Sequence, residues 1–313
     1  MHNSQSEIIN NGNLSLELCP SGGGSITRFY WHDDGREIDL MKPGSQSDIK
    51  NALAGDPRGM ANFPLVPYCG RIDHGKFTFD GQEFTLTPNF HPEPHAIHGD
   101  GWKSAWQVDE QTKPNSITLS FDHSAQGNVM RYTAKQIFTL SKNSLRIDMS
   151  LTNAGNSKMP VGIGMHPAFI RTPKASLQAN VDKVWMCDDL LIPQELVDVP
   201  KEWDFTNTKV IADVVIDNNF PVWDGVAIIT WPEFGANLRI TASEEMRHFV
   251  VFSPPKGDLF CAEPVSLTAD AFNLAARGVN DTGVRVLEPE ESCQGSATFE
   301  VGIDDNSSMT GEK

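Results

Sequence analysis

The sequence predicts an all-β fold, a large antiparallel β-sandwich with few short helices. In the segment 145–152, apolar residues occupy every odd position and polar residues every even one, which is typical of a strand with one face in water. Asp80-Gly81 separates two short runs of aromatic and β-branched residues and suits the two-residue turn of a hairpin. Strand-like runs recur without alternating helical segments, which favours antiparallel sheets over a parallel α/β fold.

Four further segments are predicted to be strands of two kinds. Alternation at 117–121 and at 238–240 indicates strands with one face in the core and the other in solvent. The runs 226–229 and 249–252 are apolar at consecutive positions, so we expect these strands to be buried on both faces.

Helical signal is thin. Residues 268–276 are predicted to form about two turns, with Thr268 as the N-cap and Gly278 just beyond the end. The segment 190–205 fits neither pattern clearly. We found no internal repeat and no linker, so a single domain is predicted over residues 1–303, followed by a disordered polar tail, 304–313.

The charge of the chain limits its partners. It carries 41 acidic and 25 basic residues, a formal net charge of −16, which disfavours nucleic acid and anionic membranes as partners. A neutral small molecule fits better, although a local group of arginines can still bind one phosphate. We leave the oligomeric state at monomer or homodimer.

The N-terminus and the cysteines indicate a cytoplasmic protein. The first residues lack a basic region followed by an apolar stretch, and no apolar run approaches the length of a membrane span. The five cysteines are odd in number and widely spaced, which predicts free thiols in a reducing compartment.

Three charged or titratable side chains lie in apolar surroundings. Arg71 follows a glycine, and its guanidinium either pairs with a carboxylate inside the fold or reaches into a cleft. His166 precedes a proline, where strand pairing stops, and is either a core histidine or a side chain presented at a strand end. Glu263 is a single carboxylate in a strand-like run, and carboxylates are rarely buried without a partner or a function.

Three histidines lie in one loop, at positions 91, 95 and 98. Imidazoles are common zinc ligands, but spacings of four and three align side chains only on a helix. The prolines and glycines of this segment oppose a helix. The alternative is that His98, beside Gly99, enters a pocket while His91 and His95 stay in solvent.

Taken together, these segments resemble the aldose 1-epimerase, or galactose mutarotase, family. The resemblance extends from about residue 10 to about residue 300, and only the ordered set of motifs is specific. The matching motifs are Pro67-Tyr68-Cys69-Gly70-Arg71-Ile72 with Gly75-Lys76-Phe77, then Ile97-His98-Gly99, then Gly164-Met165-His166-Pro167-Ala168-Phe169, and finally Cys261-Ala262-Glu263.

The resemblance implies a β-sandwich with an open sugar cleft, no metal and no organic cofactor. It implies that Glu263 is the general base and that His166 protonates the ring oxygen of a hexose. Arg71 and His98 match residues that hydrogen-bond the sugar, and Asp217 matches an aspartate that holds ring hydroxyls. We expect Glu263 to be ionised and His166 protonated at rest, since their mutual field favours both charges.

The sequence departs from the galactose-specific members and leaves the preferred sugar open. Cys69-Gly70 replaces the Ser-Asn or Ala-Asn pair common before the arginine, and His98 is not followed by a double glycine. These changes resemble those of a divergent bacterial-type branch.

Three alternatives stay open. One is a carbohydrate-binding protein of the same fold without catalysis. Another is a metal-dependent enzyme that uses the three loop histidines. The third is an epimerase for hexose 6-phosphates, which needs a second basic group near the cleft, from Arg171, Arg247 or Lys256.

Overall fold

Antiparallel strands are the predominant secondary structure in a computed structural model that describes residues 6–33, 35–109 and 113–304. The predicted all-β class is confirmed. The strands are β1 (Glu7–Asn11), β2 (Leu14–Cys19), β3 (Ser25–Asp33), β4 (Arg36–Asp39), β5 (Pro64–Leu65), β6 (Arg71–Ile72), β7 (Lys76–Phe79), β8 (Gln82–Thr85), β9 (Ala96–Ile97), β10 (Gln107–Val108), β11 (Ser116–His123), β12 (Tyr132–Leu140), β13 (Ser144–Asn153), β14 (Met159–Val161), β15 (Gly164–Met165), β16 (Ala168–Ile170), β17 (Ser176–Val181), β18 (Lys183–Cys187), β19 (Pro193–Asp198), β20 (Lys209–Val210), β21 (Ile216–Phe220), β22 (Trp223–Trp231), β23 (Ala236–Ala242), β24 (His248–Ser253), β25 (Leu259–Val265), β26 (Arg285–Leu287) and β27 (Ser292–Ile303). The α-helices are α1 (Gln46–Leu53) and α2 (Ala271–Ala276), and single 3-10 turns lie at Asp73–Gly75, Gly101–Lys103, Lys201–Trp203 and Ile211–Asp213.

Two large sheets form the frame. One has the strand order β10-β11-β12-β13-β27-β23-β22-β17-β20, and the other has the order β21-β24-β25-β15-β5, with β16 also paired to β25. Strands β1 to β4 form a smaller meander. Trp223 stacks on Phe249 with ring centroids 4.4 Å apart, and the Trp231 indole donates to the Ile170 carbonyl at 2.8 Å. These contacts tie the two large sheets together.

The predicted alternation is confirmed where one face is wet. The odd residues of β13 from Leu145 to Leu151 are almost fully buried, whereas the even ones are partly or fully exposed. The prediction for 226–229 and 249–252 is wrong on one face of each strand. Phe249 and Val251 are fully buried in the core, but Val250 and Phe252 line a cleft. A cleft with apolar walls produces the same unbroken apolar run as a core.

The predicted hairpin is present, with β7 paired to β8. Asp80 and Gly81 have φ angles of 50° and 74°, the left-handed conformations that such a turn requires. The ambiguous segment 190–205 contains strand β19, which pairs with β18.

Helix α2 begins two residues later than predicted, with its N-cap at 270 and not at 268. Thr268 is not its N-cap, because the Thr268 hydroxyl donates to the Asn219 side chain at 2.9 Å and so serves the neighbouring strand. The cap position is Asp270, at φ 52°. Helix α1 was not predicted, although Ser45 and Asp48 form a reciprocal capping box at its start.

Three other expectations concern membrane-spanning helices, the cysteines and the C-terminal tail. No helix within the described ranges is long and apolar enough to span a membrane. The five cysteines are free thiols. Of the predicted tail, residues 305–313 lie outside the described part of the chain.

Gly99 allows the loop after β9 to pass the chain at Val66. Its φ is 72°, and an added Cβ would lie 2.1 Å from the Val66 carbonyl oxygen. Gly81 has a similar φ of 74°, but an added Cβ there meets nothing within 4 Å.

We therefore expect Gly99→Ala to destabilise the protein more than Gly81→Ala. Gly81→Ala should cost about 1–2 kcal/mol for the left-handed backbone alone. Gly99→Ala should lose a further ~1–3 kcal/mol through overpacking. Urea unfolding of the two variants measures the difference, and equal losses would contradict this account.

Candidate active site

One face of the second large sheet forms the floor of a cleft of about 400 Å³. This volume lies in the range of about 300–1,000 Å³ that is usual for small-molecule sites. The structure brings all five predicted site residues to its lining: Arg71, His98, His166, Asp217 and Glu263. They come from segments far apart in sequence, and only the tertiary fold joins them.

Strand pairing aims Glu263 into the cleft. Glu263 on β25 lies opposite Val250 on β24, and directly opposed residues of an antiparallel pair share one face of the sheet. Asp217 on β21 lies opposite Phe252 on the same face. Only 3% of the Glu263 side chain is exposed, so it is a buried carboxyl group facing a cavity.

His166 stands at the end of β15, where pairing stops. Its backbone N–H donates to the Phe63 carbonyl at 3.0 Å, and its ring stacks on the Phe63 ring with centroids 4.3 Å apart. These two contacts fix the imidazole so that its Nε2 lies 3.4 Å from Oε1 of Glu263. The two side chains therefore form an adjacent acid–base pair.

Burial determines the resting charges of this pair. It raises the pKa of Glu263 well above its ordinary value, and the nearby Asp217 adds to that rise. Burial lowers the pKa of His166 to about 4. Burial therefore opposes the expected ion pair and favours a neutral carboxyl beside a neutral imidazole, because desolvation penalises the charged form of both groups. Either arrangement holds one proton.

His98 is held by two hydrogen bonds to Gly70, the residue just before β6. The Gly70 N–H donates to His98 Nδ1 at 3.1 Å, and the His98 N–H donates to the Gly70 carbonyl at 2.9 Å. Because Nδ1 accepts, the proton of the neutral ring lies on Nε2. Burial, followed by the field of His166, lowers the pKa of His98 well below its ordinary value. His98 is thus a neutral hydrogen-bond donor in the cleft.

Arg71 pairs with two carboxylates. Its Nε and Nη2 donate to the carboxylate of Glu93 at 2.8 and 3.0 Å, and Nη2 lies 3.7 Å from Oδ2 of Asp217. Both interpretations of Arg71 therefore hold, since it is ion-paired and also lines the cleft. Glu93 was missed as a site residue. The available signal was a single acid between two prolines, Pro92 and Pro94.

Apolar groups form the remaining walls of the cleft, among them Phe90, Trp102 and Phe252. Burial raises the pKa of Cys187 to about 12, with a contribution from Asp217. Burial also raises the pKa of Cys261 well above its ordinary value. Both cysteines are therefore protonated at neutral pH and behave as small apolar wall residues.

The three loop histidines do not meet. His91 is exposed and His98 lines the cleft, as the alternative predicts, but His95 is buried, so the prediction that it stays in solvent is wrong. Among the described residues, two other groups have ligand atoms within 4.8 Å of one another: Asp73, His74 and His95, and His166, Cys261 and Glu263. In the first group His74 Nδ1 lies 2.6 Å from Asp73, and His95 Nδ1 accepts the backbone N–H of His74 at 3.0 Å, so both Nδ1 atoms are already engaged. The second is the acid–base pair with one neutral thiol.

None of the three cations considered for phosphate binding lines the cleft. The Arg171 guanidinium donates instead to Ser253 Oγ and to the carbonyls of Pro254 and Gly257. Arg247 lies 3.7 Å from Glu244 in an exposed pair. Arg58 does line the cleft, but its Nε donates to Asp56 at 2.6 Å.

Solved structures with the same fold identify the class of protein to which this β-sandwich belongs. A crystal structure from Escherichia coli K12, of a protein provisionally assigned as an aldose 1-epimerase, is 28% identical with a TM-score of 0.84, covering 96% of this chain and 99% of the other. A galactose mutarotase-like protein from Clostridium acetobutylicum has a TM-score of 0.82 at 20% identity, covering 95% of both chains. The fold is that of the galactose mutarotase-like proteins.

The family follows from the sequence. The model of the aldose 1-epimerase family matches residues 6–300, and the chain belongs to this family. It is 30% identical over 270 residues to the uncharacterised protein YphB of Escherichia coli K12, which covers 84% of this chain and 88% of that protein. The uncharacterised YihR of the same organism is 26% identical over 218 residues, covering 67% of this chain and 70% of that protein.

The buried Glu263 should lower the stability of the protein as the pH rises. Its pKa is raised in the folded state above an ordinary value of 4.5, so its contribution to stability is fully present below that value and is lost as the pH rises through the folded pKa. Gln cannot ionise. We therefore expect the stability of Glu263→Gln relative to the wild type to increase progressively as the pH rises above 4.5.

Urea unfolding at several pH values measures this difference. Glu83→Gln, at an exposed position of β8, is the matched control and should show no such trend. A stability difference for Glu263→Gln that stays constant or shrinks with rising pH would show that Glu263 is not held protonated.

Proposed function

We propose that this chain is an aldose 1-epimerase that interconverts the α and β anomers of a free hexose by opening and reclosing the ring. The contact between His166 and Glu263, 3.4 Å apart in the cleft, is the observation that supports this most. Family membership supports the class of reaction. Sugar binding alone does not require a buried acid next to a buried base, whereas ring opening requires one group to remove a proton and another to donate one.

The pair's single proton balances the reaction. In ring opening, one group takes the proton of the anomeric hydroxyl as the C1–O1 double bond forms. The C1–O5 bond breaks, its electron pair stays on O5, and the other group protonates O5. Rotation about C1–C2 presents the other face of the aldehyde, and reclosure runs the transfers in reverse. The pair therefore ends each cycle with the proton count with which it began.

The assignment of roles uses the family resemblance. Glu263 acts as base toward the anomeric hydroxyl, and His166 is the acid toward the ring oxygen. For this, the proton must move from Glu263 to His166 when the sugar binds. A hydroxyl that donates to the Glu263 carboxylate favours its charged form, which lowers the pKa of Glu263 and promotes that transfer.

The other polar residues bind the sugar. Arg71 and the neutral His98 present donors, and Asp217 presents an acceptor, so sugar hydroxyls find partners of both kinds. The apolar walls limit water around the reacting bond, which strengthens hydrogen bonds inside the cleft.

The cleft favours a free aldose over a hexose phosphate. Its two cationic side chains, Arg71 and Arg58, are each bound to a carboxylate, of Glu93 and Asp56 respectively. A phosphate would have to compete with a carboxylate already in place. We therefore expect an anomer-exchange assay to give a higher kcat/KM for free aldoses than for their 6-phosphates.

Substitution of either member of the pair should abolish most of the activity. Glu263→Gln and His166→Asn should each lower kcat by about 10²–10⁴-fold, the usual contribution of a general acid or base. Arg71→Lys should mainly raise KM, because it removes a binding contact. Saturation-transfer NMR or polarimetry on freshly dissolved α-D-glucose and α-D-galactose measures the rates.

Two matched variants control for nonspecific effects. His91→Asn and Glu83→Gln replace an exposed histidine and an exposed glutamate outside the cleft and should retain wild-type rates. Near-normal rates in both cleft variants would refute the assignment. Sugar binding in calorimetry without any anomer exchange by the wild type would instead identify a carbohydrate-binding protein.

A further inference from the structure

The carboxylate of Glu93 occupies an unusual place for a loop residue. It lines the cleft, and both of its oxygens accept hydrogen bonds from Arg71. We propose that Glu93 is a positioning residue for sugar binding, which holds the Arg71 guanidinium in one plane beside Asp217. This inference rests on the proposed function for its kinetic consequences, but its effect on sugar binding stands apart from catalysis.

The contact is bidentate and largely shielded from water. Nε and Nη2 of Arg71 each meet one oxygen of Glu93, at 2.8 and 3.0 Å. The exposed fractions are 13% for the Arg71 side chain and 26% for that of Glu93. Two parallel hydrogen bonds between planar groups fix orientation as well as distance, which one contact cannot do.

This arrangement leaves a defined donor and acceptor for the ligand. Within the described residues, Nη1 of Arg71 has no hydrogen-bond partner, whereas Nε and Nη2 are engaged. The Asp217 carboxylate lies 3.7 Å from Nη2 and lines the cleft. Nη1 and the Asp217 carboxylate are thus a fixed donor and acceptor, a pattern suited to two hydroxyls on neighbouring carbons of one sugar.

Glu93 also moderates the field of Arg71 at the acid–base pair. Arg71 and Asp217 shift the pKa of Glu263, and Arg71 shifts that of His166. Among the described residues, the other titratable groups that interact with the pair are His98 and the thiols of Cys69 and Cys261. The charge of Arg71 lowers the pKa of both members of the pair. Loss of the Glu93 charge would leave Arg71 less compensated and so lower both pKa values further.

The test compares Glu93→Gln with Glu93→Asp and with Glu83→Gln as the exposed control. Glucose and galactose binding is measured by calorimetry, kcat and KM by saturation-transfer NMR across pH, and folding by thermal unfolding. In folded Glu93→Gln we expect Kd and KM to rise about tenfold or more, the scale of a lost charged hydrogen bond. The decrease in kcat should be far smaller, and both limbs of the pH profile should move to lower pH.

Glu93→Asp keeps the charge but shortens the reach. It should leave the pH limbs near their wild-type positions while raising KM. A purely structural role for Glu93 would lower thermal stability without moving the pH limbs. That result, or unchanged Kd and KM in folded Glu93→Gln, would overturn the proposal.

The calorimetric measurement of sugar binding tests the role of Glu93 separately from the proposed epimerase activity. If the wild type binds sugar without exchanging anomers, the epimerase assignment fails, while weakened binding by Glu93→Gln still supports the positioning role. If the wild type binds no aldose, both proposals are wrong.

Discussion

A carboxyl group and an imidazole lie 3.4 Å apart in a cleft that keeps both away from bulk water, and the surrounding structure serves that contact. The carboxyl group is fixed by the pairing of β24 with β25, and the imidazole by the ring and carbonyl of Phe63. The anchors are backbone hydrogen bonds and a buried aromatic ring. A pair that must pass protons to two oxygens of one sugar gains from such rigidity, because its geometry is set before the ligand arrives.

The same burial that shapes the chemistry opposes stability. Burial removes the Glu263 carboxyl group from water, and among the described residues no hydrogen-bond partner meets the buried Nδ1 of His166, so both side chains cost free energy to bury. His98 also adopts a positive φ of 59°, which is uncommon for residues other than glycine. These costs cluster in the cleft, as is common for sites organised for a ligand. The interdigitated sheets supply the stability that offsets them.

Local patterns predicted the frame of the molecule, and tertiary contacts decided the rest. Alternation on β13 and the Asp80-Gly81 turn depend on residues close in sequence, so both predictions were correct. Phe252 faces a cleft and Phe249 faces the core. An apolar run in the sequence does not distinguish these two environments. Thr268 is a residue type suited to a helix N-cap, but its hydroxyl donates a hydrogen bond to Asn219, which is distant in sequence.

The candidate site divides in the same way. The ordered motifs brought out Arg71, His98, His166, Asp217 and Glu263, which the structure gathers in one cleft. Glu93 carried only a weak signal, because its partner Arg71 lies 22 residues away and pairing is visible only in three dimensions. The effect of burial on the charges of the pair was not visible in the sequence for a related reason. Sequence shows that two charges can attract, but only the structure shows how little water surrounds them.

The most direct test of the account is the pH dependence of anomer exchange by the wild-type protein, followed by saturation-transfer NMR on a free aldose. A pair that works with one shared proton predicts a bell-shaped profile of kcat/KM. The acidic limb marks the state in which both groups are protonated, and the basic limb marks the state in which neither is. Exchange that rises or falls with a single limb, or that does not change with pH, would contradict the shared-proton pair at the centre of this account.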